Sequence, residues 1–289
     1  MSLLKSPFGK AAIAGFALSL MTGMASADTL LERAKAGEAL RIGFANEAPF
    51  SSATSDGELV GSDIVLLRAV LTKMGVKDFD GVLTPFGSLI PGLKAKRFDI
   101  IAAGLYIRPD RCKQVAFAEP VFALGDALVV PAGNPKKLHS LADVGKDPAL
   151  KLGYTTGAGA LVEHAYASGV AKTQAAPLPD GPSLIAAVKA GRIDAFIYPT
   201  LSTQELLKAA KDPGVERVDP FVQPVVDGKP VLGVGSYAFR PDDADFLKAF
   251  NEALISIVQS PDYVKMIEPF GYSKSDIPVG ITTADLCKG

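Results

Sequence analysis

The sequence predicts an α/β protein made of two similar units, and three observations carry that prediction. One passage is nearly written twice: SLIPGLKAKRFDIIAAGL from Ser88 and SLIAAVKAGRIDAFIYPTL from Ser183, with Lys94, Ala95, Arg97 and Asp99 recurring as Lys189, Ala190, Arg192 and Asp194. Such self-similarity points to a repeated structural unit. Strand-like and helix-like stretches alternate along the chain, the pattern of α/β sheets. Two long β-runs, 122–134 and 231–240, bracket the middle. If both cross between units, residues 124–235 form an inserted second lobe, and residues 28–123 and 236–289 form the first.

In chain order, DTLLERAKAGEAL reads as a short helix interrupted at Gly37, and RIGFA as a strand of β-formers leading into the loop NEAPF. Ile64, Val65, Leu67, Val70, Leu71 and Met74 make a helical stripe closed by Gly75. GVLTPF is the next strand. Each repeat copy then reads as a cap (Ser88 in the first), a short helix and a buried strand, with Pro91 tolerated in the first turn. The lysines and arginines that end both helices sit where the helix dipole favours cations, a structural role. LHSLADVG reads as a short helix, and KLGYTTGAG as a strand running into a glycine-rich loop before a helix over 160–168. Beyond the second copy come a helix near 203–210 and an amphipathic helix in DADFLKAFNEALISIVQS.

The N-terminus has Lys5 and Lys10, an apolar run from Ala11 to Met21, and an A-x-A site at Ala25 and Ala27. That three-part pattern is a secretory signal, and the run is short of the roughly 20 apolar residues a spanning helix needs. Cleavage after Ala27 removes two lysines and moves the net charge from −1 to −3. The mature chain is expected in the periplasm. Near-balanced charge gives no reason to expect nucleic acid. In an oxidising compartment Cys112 and Cys287 are expected to join, the alternative being two buried thiols. Their spacing does not suggest metal. His139 and His164 are expected to be solvated.

Open α/β sheets place ligands in loops beyond strand ends. Three such loops stand out: NEAPF (46–50), GLYIRPDRC (104–112) and TTGAG (155–159). Arg111 offers a planar guanidinium that matches a carboxylate by two parallel hydrogen bonds, unless it serves an internal ion pair. Glu47 could meet a cationic nitrogen. Phe50, Phe86 and Tyr106 could present aromatic faces to a delocalised cation, although core packing explains any one of them alone. In TTGAG, Thr156, Gly157, Ala158 and Gly159 resemble an anion nest ahead of a helix. No nucleotide-binding glycine fingerprint, serine-hydrolase elbow or zinc-protease motif occurs.

NEAPF, FGSLIPGLKAKRFDIIAAGL, RPDRCKQVAFAEPVF and GRIDAFIYP resemble the periplasmic solute-binding proteins of polar amino acid ABC importers, over essentially the whole mature chain. Within that family, ANEAPF, FGSLIPGL, RPDRC and the C-terminal IEPFGYS…LC look most like the ectoine and hydroxyectoine binders. The resemblance implies a type II binding-protein fold: two α/β lobes, two hinge strands and a ligand cleft between them, one repeat copy per lobe. It implies that Arg111 grips a ligand carboxylate, with amides from Gly157 to Gly159 sharing the grip. It also implies that Glu47 pairs with a ring-bound cation inside a box of Phe50, Phe86 and Tyr106, and that Cys112 and Cys287 are joined.

Two departures follow. Pro199 stands where amino-acid binders of the family carry an aspartate for the α-ammonium. Ectoine binders carry Tyr at the position of Phe86 and Phe at that of Tyr106, so the phenolic hydroxyl has changed walls. The implied function is a monomeric receptor for ectoine, hydroxyectoine or a cyclic amino acid, partnered by a membrane permease and needing no cofactor. The rivals are a receptor for an ordinary polar amino acid and a cyclohexadienyl dehydratase-like enzyme. The enzyme reading lacks a second acid or base beside Glu47.

Overall fold

The structure, a computed structural model, describes residues 28–226 and 228–288. The expected signal and its cleavage point after Ala27 lie outside the described residues. Twelve strands matter here: β1 (Leu40–Phe44), β2 (Phe79–Leu83), β3 (Ile100–Ile101), β4 (Ala116–Phe117), β5 (Phe122–Leu124), β6 (Asp126–Pro131), β7 (Leu152–Thr155), β8 (Ala175–Leu178), β9 (Ala195–Pro199), β10 (Val215–Arg217), β11 (Gly233–Gly235) and β12 (Ala238–Phe239). The helices used below are α1 (Ser62–Lys73), α2 (Leu89–Lys94), α3 (Pro109–Cys112), α4 (Gly159–Ala167), α5 (Gly181–Lys189), α6 (Thr200–Ala210), α7 (Ala244–Val258) and α8 (Thr283–Lys288).

Two five-stranded sheets share one plan. The first runs β2-β1-β3-β12-β4 and the second β8-β7-β9-β6-β10. In each, three strands are parallel and the last two alternate antiparallel. Between the sheets β5 pairs with β11 antiparallel, Leu124 opposite Gly233 and Phe122 opposite Gly235. The fold is thus the type II binding-protein architecture. The two β-runs read from the sequence do cross between sheets, but neither is continuous. The first breaks at Gly125 and the second between Gly235 and Ala238, where the chain leaves the joint to enter a sheet.

The repeat finds its explanation here. One copy supplies α2 and β3 to the first sheet, the other α5 and β9 to the second. The repeated aspartate does the same job twice: Asp99 accepts the Arg41 backbone N–H at 3.0 Å beside β1, and Asp194 accepts that of Lys151 at 2.7 Å just before β7. Each ties the repeat strand to its parallel neighbour. Asp99 also receives the Arg41 and Arg240 guanidinium groups, both at 3.1 Å, so its buried charge is paired.

Ser88 stands at the N-cap position of α2, as expected, but does not cap through its side chain, and Ser183 is not a cap. Ser88 has helical dihedrals and ends a 3-10 turn over Phe86–Ser88, with no capping bond from its side chain. Ser183 lies inside α5, whose cap is Asp180, accepting the Ser183 N–H at 2.8 Å. FDIIAAGL is buried throughout its apolar length, as expected, yet pairs as a strand only at Ile100–Ile101. On α7, Phe246, Phe250 and Leu254 recur every fourth residue and are buried; Phe246 and Phe250 pack against Phe239 of β12, and Phe250 against Tyr237 just before it. Cys112, the last residue of α3, is joined to Cys287 in α8, with their Cα atoms 5.7 Å apart. That bond fastens the C-terminal helix beside the loop that carries Arg111.

Candidate ligand-binding site

Six of the ten candidate residues line one inner pocket where the two sheets face each other: Glu47, Phe86, Tyr106, Arg111, Ala158 and Pro199. Gly104, Thr155, Ala160, Leu161 and Tyr198 complete it. Its internal space is small, about 20 Å³, but Glu47, Phe86, Thr155 and Tyr198 also border a wider cleft of about 640 Å³. The polar groups therefore sit at the narrow end of a crevice that opens to solvent.

Each side chain arrives there for a local reason. Glu47 follows β1 in a tight loop closed by mutual backbone bonds with Ser51, at 2.8 and 3.1 Å. Arg111 sits in the single turn of α3, which Pro109 starts. Its guanidinium donates to the Tyr106 carbonyl at 2.7 Å and to the Gly157 carbonyl at 2.8 Å, and stands 5.7 Å from the Phe86 ring centre. A guanidinium has five N–H donors, so these two bonds orient it and leave others for a ligand. Burial, with Arg108 nearby, pulls Arg111 down to about 10, so it stays cationic at neutral pH.

Glu47 is pushed the other way. Burial raises it to about 7, and the nearby Ser202 and Tyr198 hydroxyls restrain the shift. An acid desolvated this far gains from a cation placed beside it. Glu47 is not alone, contrary to expectation. Asp63 in α1 is near enough to feel its charge and is itself raised by burial to about 7. Asp63 is nevertheless walled off: it is 5 % exposed, accepts the Gly104 N–H at 2.8 Å and does not line the pocket.

Phe50 is not a wall of the pocket. Its ring is 1 % exposed and stacks on Phe122 at 5.0 Å, pressed against Gly104. Gly104 has φ +60, and a Cβ there would lie 2.4 Å from the Phe50 ring, so glycine is what lets the ring close under the pocket floor. The aromatic surfaces present are Phe86, Tyr106 and Tyr198. Tyr198 was missed, although it stands one residue from Pro199 at the carboxyl end of a buried strand, where such sheets place ligands.

The TTGAG loop is only partly the expected nest. The Thr156 N–H donates to Leu178 and the Ala158 N–H to Thr155, both at 2.8 Å, and the Gly157 carbonyl points at Arg111. Of this loop Thr155 and Ala158 line the pocket; Thr156 and Gly157 form the exposed rim, and Gly159 opens α4. There Gly157 approaches so closely that a Cβ would come within 2.5 Å of the Gly87 Cα. Arg108 reaches from α3's cap across to Glu163 of α4 at 2.6 Å. One histidine also departs from expectation: His139 is exposed, but His164 is largely buried and its Nδ1 lies 2.8 Å from Asp126 Oδ2.

With this geometry in view, residues 40–273 match the family model of bacterial extracellular solute-binding proteins, family 3. This chain belongs to that family. A probable amino-acid ABC transporter periplasmic-binding protein of Sinorhizobium fredii is 36 % identical over 97 % of this chain and 94 % of that one. The lysine/arginine/ornithine-binding periplasmic protein of Escherichia coli is 32 % identical over 88 % and 95 % respectively. Among solved structures, EhuB in complex with hydroxyectoine superposes with a TM-score of 0.78 at 34 % identity, covering 89 % of this chain and 97 % of that one. The chain is a solute-binding receptor of the polar amino acid ABC import class.

Proposed function

We propose that this receptor captures a compact zwitterion with a ring-bound cation: ectoine, hydroxyectoine or a related cyclic amino acid such as a proline derivative. One observation carries the reading. A buried arginine and a desolvated glutamate line the same small pocket, together with aromatic rings and a proline. Arg111 takes the carboxylate. Glu47 takes the cation, and Phe86, Tyr106 and Tyr198 lie against the ring. Removing water as the lobes close strengthens each charged contact. The resemblance to EhuB, which is solved with hydroxyectoine, supports the same class of ligand.

In this reading the lobes comprise residues 28–123 with 236–289, and residues 124–235. The signal is cleaved after Ala27, and the monomer hands its ligand to a membrane permease. Pro199 counts against an ordinary α-amino acid, because it offers no charge at the strand end. The enzyme reading gains an acid near Glu47, but the Asp63 carboxylate is already engaged by the Gly104 N–H at 2.8 Å. The test is calorimetric titration with ectoine, hydroxyectoine, proline, hydroxyproline and common polar amino acids, repeated with Arg111→Ala. Expected is tight binding of a cyclic zwitterion that weakens about 100-fold or more in the variant, since a charge-assisted bidentate contact is lost. Unchanged affinity would refute the role given to Arg111.

A further inference from the structure

Among the described residues, the buried side-chain polar atoms without a hydrogen-bond partner include Asp126 Oδ1 and, in the pocket lining, the hydroxyls of Tyr106 and Thr155. Asp126 is fully buried at the start of β6, directly opposite Pro199 in the antiparallel pair with β9. Directly opposed residues point to the same face of a sheet. Asp126 therefore shares the face on which α4 lies, and His164 of α4 binds its Oδ2 at 2.8 Å. Ala160, one helical turn before His164, lines the pocket. Tyr106 comes from the segment after β3 of the first sheet and bridges to Gly235 of β11. Its ring lies over Gly233 of β11, where any Cβ would meet it at 1.9 Å, so its hydroxyl has little freedom to turn elsewhere.

The Asp126 backbone is held just as firmly. The Gln223 side chain donates to its carbonyl at 2.7 Å and accepts its N–H at 2.9 Å. A buried carboxylate oxygen with no donor is costly, and such atoms call for an explanation. Here the rest of the residue is fully bonded. Burial pushes up the hydroxyl of Tyr106, which lines the pocket, and the Asp126 carboxylate is near enough for its charge to add to that shift.

We infer that Asp126 Oδ1 and the Tyr106 hydroxyl form a second polar subsite at the inner end of the pocket, which receives a donor substituent of the ligand, a hydroxyl or N–H group. His164 is the positioning residue that holds the carboxylate. The inference rests on reading the pocket as a zwitterion site, and it selects among such ligands: the solute with an extra donor beyond its carboxylate and ring cation is preferred.

The test uses matched solutes that differ by one donor group: hydroxyectoine against ectoine, hydroxyproline against proline, and lysine against norleucine. Titration calorimetry is run on the whole mature protein and on its Asp126→Asn and Tyr106→Phe variants, with melting temperatures confirming that each is folded. For the pair the protein binds, the donor-bearing solute is expected to bind about tenfold tighter or better, the effect of one hydrogen bond to a charged group. In each variant the preference drops to about threefold or less, the donor-bearing solute losing more affinity than its donor-lacking match. If Asp126→Asn fails to fold, Tyr106→Phe decides. A preference absent from the unaltered protein, or retained in the folded variants, overturns the subsite. Binding of a cyclic pair without preference leaves the ligand class standing and removes only the subsite. If only the open-chain pair binds, the cyclic class falls while the ratio still judges the subsite. If none of the six binds, both fall.

Discussion

Phe50 and Phe86 show how little separates a packing residue from a binding one in a sequence. Both are aromatic and both follow strands of the first sheet, yet one ring is sealed on Phe122 and the other faces Arg111 across the pocket. Their substitutions should separate accordingly. Phe50→Ala should cost stability by roughly 3–5 kcal/mol, the range for a buried ring replaced by a cavity, read by chemical denaturation. Phe86→Ala should leave stability within about 1 kcal/mol and weaken ligand binding about tenfold, in line with the loss of one aromatic face against a cation. The reverse pattern would restore Phe50 to the pocket. The sequence could place Glu47, Arg111 and Pro199 at strand ends, because that rule depends only on element order. It could not orient Phe50, which turns inward because Gly104, 54 positions away, leaves room for it. Nor could it find Asp126 and His164, which are 38 residues apart and meet only when α4 folds onto the second sheet.

At the scale of elements, most of the plan was legible. The written-twice passage foretold two α/β units of like construction, because each copy encodes a helix and a buried strand, and the two sheets turn out to share one strand order. What failed was local. The serines that open the copies make no capping bond: Ser88 holds the N-cap position of α2 without a side-chain bond, and Asp180 caps α5 ahead of Ser183. The 122–134 run divides because its strand serves two sheets in succession. The rim between Gly87 and Gly157 gives the element-scale prediction. Gly157 has φ +88 and no space for a side chain beside the Gly87 Cα. Gly157→Ala should keep the two lobes from meeting there and lower ligand affinity at least tenfold, with Arg108 and Glu163 no longer in reach of each other. Titration calorimetry would read this directly, and an affinity equal to that of the unaltered protein would show that the rim contact is dispensable.

For the whole molecule, the disulfide and the buried charges matter most. Cys112 and Cys287 are separated by 175 positions, so their bond restricts a long loop in the unfolded chain. The chain-entropy argument puts this at up to about 5 kcal/mol, with 2–5 kcal/mol the usual loss on removal. The double change Cys112→Ser with Cys287→Ser should therefore lower the melting temperature by roughly 10 °C, given about 2–4 °C per kcal/mol at this size. A shift under a few degrees would mean that α8 is held by packing alone. Function rests on a different balance. Glu47 is raised to about 7 by burial, so near neutral pH a large fraction of it is protonated before ligand arrives. A cation beside it favours the charged form and lowers its pKa, so binding expels a proton and affinity rises with pH through about 7. Calorimetry in buffers of different ionisation enthalpy measures that proton. With the bound cyclic zwitterion at pH 7, the expected result is release of about half a proton per ligand, vanishing in Glu47→Gln. No release, or net uptake, would mean that Glu47 does not face the ligand's cation.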